Sequence, residues 1–250
     1  RRELSAPQGI FRVRDSVMGD VTNSNPVHVG APGLAIQEPG HERFLAAHRG
    51  RPPVVYVGAN DGMLHAFDAR TGNELFAYVP RIMFARLAAY TSPDYVHRSY
   101  VDGTPVVGDA RMAGGEWKTV LVSGNGGGAT GVFALDVTDP AAFSADKVLW
   151  EFSGAYDDDM GHVTQAPRIM KFRTAAATRT RAATYGWFAV VPSGFNNANP
   201  DKQAALFLLS LDKAAGEAWK QNTNYYKIVL PVPKDKTLVN VLSTPGDYAG

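Results

Sequence analysis

The 250-residue chain is long enough for one large domain or two smaller ones, and 45% hydrophobic and 10% aromatic content suffice for a core. Its charge is balanced at a formal +1 with no basic stripe, so nucleic acid is not an expected partner. The absence of cysteine excludes a disulfide framework, a thiolate metal site and a cysteine nucleophile. No apolar run reaches the ~18 residues that span a bilayer as a helix, so direct membrane insertion is not expected.

In chain order, Ile10–Val13 and Val27–Gly30 read as short strands around a polar turn. Residues 31–52 are rich in Pro, Gly, His and Arg, with one or two helical turns expected over Glu42–His48. Val54–Gly58 reads as a buried strand, and Asn60-Asp61-Gly62 marks a hairpin returning through Met63–Phe67. Asp68–Gly72 is a turn, and Glu74–Val79 a third strand. Pro80 then suits a helix start, with Ile82, Met83, Leu87 and Tyr90 on one face, so a small helical insertion is predicted near 80–100. Further strands are predicted at 105–109, 118–123, 131–137 and 148–152, then at 167–172, 185–192, 204–212 and 225–230. Polar loops at 173–183 and 194–203 separate the last set, with Arg173–Arg181 read as a solvated hairpin tip.

These strands fall into repeats. A small-residue–Pro start appears at Asn25-Pro26, Thr104-Pro105, Ala166-Pro167 and Thr244-Pro245, in steps of 79, 62 and 78 residues. A strand ending in Phe/Leu-Asp follows three of them, at Phe67-Asp68, Leu135-Asp136 and Leu211-Asp212. Repeats of several short strands imply a radial array in which each unit buries its faces against its neighbours. The expectation is an all-β fold, a partial β-propeller over 1–250. Its blade units would be about 10–103, 104–165 and 166–243, with the start of another at 244–250. Three blades and a start are fewer than the typical 4–8 of a closed propeller, so a piece of a longer protein is expected.

Catalytic signatures are thin. Gly126–Gly131 formally matches a dinucleotide fingerprint, but a strand follows where a helix N-terminus would have to present its N–H groups, so a tight hairpin is the reading. No His pair has i, i+4 spacing, and there is no Gly-x-Ser-x-Gly elbow; no catalytic residue is assigned. Asp157-Asp158-Asp159 is the densest acidic run. Calcium needs several converging oxygens, so Asp157 and Asp159 are candidate metal ligands, with a solvated connection between blades as the other reading. Tyr90, Tyr95 and Tyr100 in and beside the insertion are candidates for an interaction surface, with packing onto the propeller rim as the alternative.

The stretches Tyr78-Val79-Pro80 to His97-Arg98, Val101-Asp102-Gly103-Thr104-Pro105 and Gly131-Val132-Phe133-Ala134-Leu135-Asp136-Val137-Thr138-Asp139-Pro140 resemble the PilY family of type IV pilus biogenesis proteins. Met18-Gly19-Asp20-Val21 looks like that family's approach to its propeller, and Asp157–Gly161 like its acidic link. The resemblance covers most of 10–250. It implies a quinoprotein-like propeller in a large exported protein of a Gram-negative bacterium, at the pilus tip, cell surface or outer membrane. The implied role is a non-enzymatic scaffold and tip-associated adhesin that supports pilus assembly, antagonises retraction and attaches to surfaces. Implied partners are minor pilins and a host or abiotic surface. The family also implies regulation by Ca2+, with the main loop falling after Gly250. Two rival readings are a pyrroloquinoline quinone-dependent dehydrogenase and a generic outer-membrane assembly scaffold. The first is disfavoured by the missing cysteines and polar ligand set.

Overall fold

The computed structural model describes residues 11–14, 16–33, 36–201 and 203–230. Among them, strands form three four-stranded antiparallel sheets. The first holds β1 (Val27–Val29), β2 (Val54–Gly58), β3 (Leu64–Asp68) and β4 (Glu74–Tyr78). The second holds β5 (Val106–Arg111), β6 (Trp117–Gly124), β7 (Val132–Asp136) and β8 (Val148–Phe152). The third holds β9 (Arg168–Ala175), β10 (Thr184–Pro192), β11 (Ala205–Ser210) and β12 (Tyr225–Val229). Each sheet is a meander in sequence order, and the opening strands β1, β5 and β9 neighbour one another, so the sheets radiate as blades.

Strand alternation explains why the central strands are hydrophobic throughout. Side chains along a strand point to opposite faces, and a middle blade buries both. Leu121, Phe133 and Leu135 of the second blade pack with Val54, Tyr56 and Leu64 of the first. Val120, Val122, Val132 and Phe152 instead pack with Ala189, Val191, Phe207 and Leu209 of the third.

The repeated residues have structural work. Ala66-Phe67-Asp68 and Ala134-Leu135-Asp136 each shift register against the following strand after the Ala, a bulge at the same place in two blades. The Asp then closes the turn: Asp68 accepts from the backbone N–H groups of Arg70 and Thr71, and Asp136 from Thr138. The third blade departs, since Asp212 accepts from the N–H of Ala113 in the second blade at 2.6 Å. Two of the Pro starts touch: Asn25 donates to the Thr104 hydroxyl at 3.0 Å. Gly58 and Gly124 end β2 and β6, where a Cβ would collide with the carbonyls of Val101 and Val163 in the links to the next blade. These two glycines let the backbones of adjacent units meet.

The insertion is a 3-10 turn (Arg81–Met83) followed by α2 (Phe84–Thr91), burying Met83 and Tyr90. Residues 41–47 form the short helix α1 (His41–Ala47). Its connection does more than turn. His41, whose Nδ1 accepts from the N–H of Ile36, donates from Nε2 to Asp109 of β5 at 3.0 Å. Arg51 reaches the Thr119 hydroxyl of β6 at 2.7 Å, and Glu38 pairs with Lys171 of β9. The β1–β2 connection thus fastens the first blade to the other two. Phe11–Val13, expected as a strand, lies outside any sheet. The Arg12 N–H donates instead to the Thr91 carbonyl at the end of α2. Ile10 and the start at Thr244-Pro245 lie outside the described residues.

Candidate functional site

Asp157 and Asp159 come together although they sit in a run of three. The Asp159 N–H donates to Asp157 Oδ1 at 3.1 Å, a local turn that aims both carboxylates the same way. They converge on the Lys227 ammonium of β12, at 2.9 Å from Asp157 and 2.7 Å from Asp159. The Tyr225 hydroxyl donates to Asp157 at 3.0 Å, and the Asn199 amide to Asp159. All three charged side chains are largely buried, Asp159 to within 3% of full burial. Burial opposes the charge on Lys227, but its hydrogen bonds to Asp159 and Asp157 outweigh it and raise the ammonium's pKa. Burial and then the Asp157 charge push the Tyr225 phenol up to about 12. Asp158 is exposed. Among the described residues, no group of three or more His, Cys, Asp or Glu side chains could hold a metal ion. Lys227 and Asn199 were not singled out from the sequence. The available signal was a lysine two residues from Tyr225, on the inward register of a strand.

The tyrosines divide. Tyr100 is fully buried and Tyr90 nearly so, in the core shared by the first two blades, while Tyr95 is half-buried. Tyr90 meets Tyr95 and Tyr100 edge-on at 5.5 and 5.4 Å. The Arg12 guanidinium lies over the Tyr95 ring at 3.8 Å and the Tyr90 ring at 4.5 Å, and Arg14 donates to the Tyr90 hydroxyl at 2.7 Å. These side chains, with Val13, Asp20 and His97, line a cleft of about 280 Å³. Some desolvation opposes the charge on the exposed Asp20 carboxylate, yet hydrogen bonds from Asn60, His97 and Thr22 hold its pKa down at about 2.

The Gly126–Gly128 segment is a 3-10 turn leading into β7, and a Cβ on Gly128 would overlap the Tyr100 carbonyl. Its glycines serve chain crossing between blades. A further polar group is buried in the first hairpin. His65 sits between Asp61, at 3.1 Å, and Glu74, at 2.5 Å. Burial opposes protonation there, and the two carboxylates outweigh it, so its pKa is raised.

Blades packed face to face around loop clusters, with the acidic run paired to Lys227, define the class: a β-propeller. Residues 18–225 match the family model described as the PilY1 beta-propeller domain, and the chain belongs to that family. It is 43% identical over 168 residues to a type IV pilus biogenesis factor PilY1 homolog of Xylella fastidiosa, covering 64% of this chain and 14% of the relative. It is 40% identical over 215 residues to type IV pilus biogenesis factor PilY1 of Pseudomonas aeruginosa, covering 82% of this chain and 17% of the relative. The crystal structure of the Pseudomonas aeruginosa PilY1 C-terminal domain superposes with a TM-score of 0.61 at 32% identity, over 84% of this chain and 38% of that one. The chain therefore spans under a fifth of the curated relatives it matches.

Proposed function

We propose that this chain is a propeller portion of a type IV pilus biogenesis factor, acting as a non-enzymatic scaffold. The observation that carries the reading is the family match over 18–225, joined to a fold whose repeated residues are spent on joining blades. Function then belongs to the loops that the rigid blades position. The full-length protein would be exported, associate with minor pilins at the pilus tip, oppose retraction and contribute to surface attachment. No helix among the described residues is long and apolar enough to cross a membrane.

Calcium control belongs to this reading as well. Asp157 and Asp159 are held by Lys227, which supports placing the main calcium site elsewhere in the full-length protein and treating the acidic run as an interblade clasp. Calcium titration calorimetry tests that part: heat from this chain, lost on changing Asp157 and Asp159 to Asn, would move the metal here. The wider reading is tested in a bacterium deleted for its PilY1 relative. A hybrid carrying residues 18–225 in place of the native segment should restore surface pili and twitching. Stable export without restored pili would refute it.

A further inference from the structure

The cleft beside α2 holds a charge that meets no carboxylate among the described residues. Arg12 is sandwiched by aromatic rings, and its Nε is buried without a hydrogen-bond partner among the described residues. No carboxylate among them pairs with it. Asp20, the one acid among the described residues that line the cleft, is already engaged by His97 at 2.9 Å, by Asn60 at 2.7 Å and by Thr22. The guanidinium is also held in place, because the Arg12 backbone is tied to the end of α2 and its side chain lies on Tyr95. The lining also carries Arg14, Asp20 and His97, but exposed apolar side chains flank it: Val13 on the cleft wall is 71% exposed, and Val96, between the lining residues Tyr95 and His97, is 68% exposed. An Arg and Tyr centre with apolar neighbours is the composition of an interface hot spot.

We infer that this cleft docks a partner protein through an Asp or Glu side chain flanked by apolar residues, the carboxylate meeting Arg12 and the apolar flanks covering Val13 and Val96. The inference rests on the scaffold reading and adds the chemistry of its partner. A planar guanidinium fixed on a ring is preorganised for bidentate carboxylate recognition.

The test is an array of overlapping 15-residue peptides covering the host bacterium's pilus subunits, probed with the purified chain. A parallel array carries Asn for Asp and Gln for Glu. The expected result is a set of bound peptides that carry an apolar-flanked acid and lose about tenfold or more in binding on amidation, the scale of one good charge-assisted contact. Arg12→Gln should lose the same peptides. Val96→Glu, at an exposed position that folding does not depend on, should weaken them more than Val96→Lys, because both remove the apolar contact and only Glu also repels the bound acid. A silent array, binding indifferent to amidation, or equal effects of Val96→Glu and Val96→Lys would overturn the inference. Binding by a second copy of the chain would appear as dimer formation sensitive to Arg12→Gln, and would also overturn it. The hybrid-strain experiment, with the grafted segment extended to residues 11–230 so that it includes Arg12, separates the two levels. Pili restored equally by wild type and Arg12→Gln sink the cleft alone, whereas pili restored by neither sink the scaffold reading beneath it.

Discussion

Replacing Lys227 with Met should be among the most damaging single changes outside the apolar core. The substitution keeps an unbranched side chain of similar length and removes the ammonium, which lies 6.0 Å from the Phe207 ring centroid. Asp157 and Asp159, whose side chains are 6% and 3% exposed, would then be two neighbouring carboxylates with no counterion. Stranding a buried charge in this way costs about 3–5 kcal/mol. For a chain of this size that is a fall of about 6–20 °C in Tm. The partner replacements decide the cause. Asp157→Asn and Asp159→Asn in the Lys227→Met background should restore most of the loss, because a neutral amide needs no counterion. Urea unfolding of the four combinations closes the cycle. A loss below about 1 kcal/mol for Lys227→Met, the range of exposed pairs, would show that the clasp is wet and that the reasoning fails.

Other consequences are accessible to simple measurements. Millimolar calcium should raise the Tm of Lys227→Met, if the vacated carboxylates accept a cation, and leave the parent unchanged; no rise in either would remove the acidic run from consideration as a metal site. Because the pKa of His65 is raised in the fold, its contribution to stability is complete below the ordinary histidine value near 6.5 and fades as pH rises through the folded value. The parent should therefore lose stability as pH rises above about 6.5 and His65→Gln should show a flatter profile there; parallel profiles would refute the assignment. Gly124→Ala, where the new methyl meets the Val163 carbonyl, should cost at least the 1–3 kcal/mol of an overpacked site, about that much or more. Gly114→Ala, which meets nothing within 4 Å, serves as the neutral comparison. Tyr100→Ala should lower stability by about 3–5 kcal/mol, as for other buried aromatics, whereas Tyr95→Ala, half-buried against the same core, should lower it less and also act on binding.

Much of the architecture was legible because its signals are local. Strand alternation, the Asp-Gly hairpin at 61–62 and the helical insertion after Pro80 depend on neighbours within a few residues, and the sheets and α2 appear where those patterns lie. Less legible were features that join distant residues. Nothing near Glu38, His41 or Arg51 announces that the β1–β2 connection reaches β5, β6 and β9. Nothing near Phe11–Val13 shows that an apolar–polar alternation would be drawn to the end of α2 instead of a sheet.

The candidate sites divide the same way. Residue types and repeats alone determined the propeller class, the family and the acidic run as an unusual feature, because backbone periodicity and motif spacing are written in the order of residues. That Asp157 and Asp159 meet the Lys227 ammonium, and that Tyr100 lies in the core, was decided only when β12 and the second blade closed around them. A carboxylate's partner and a ring's exposure are set by what packs against them, and here that matter lies about 70 residues further on for Asp157 and in the next blade for Tyr100.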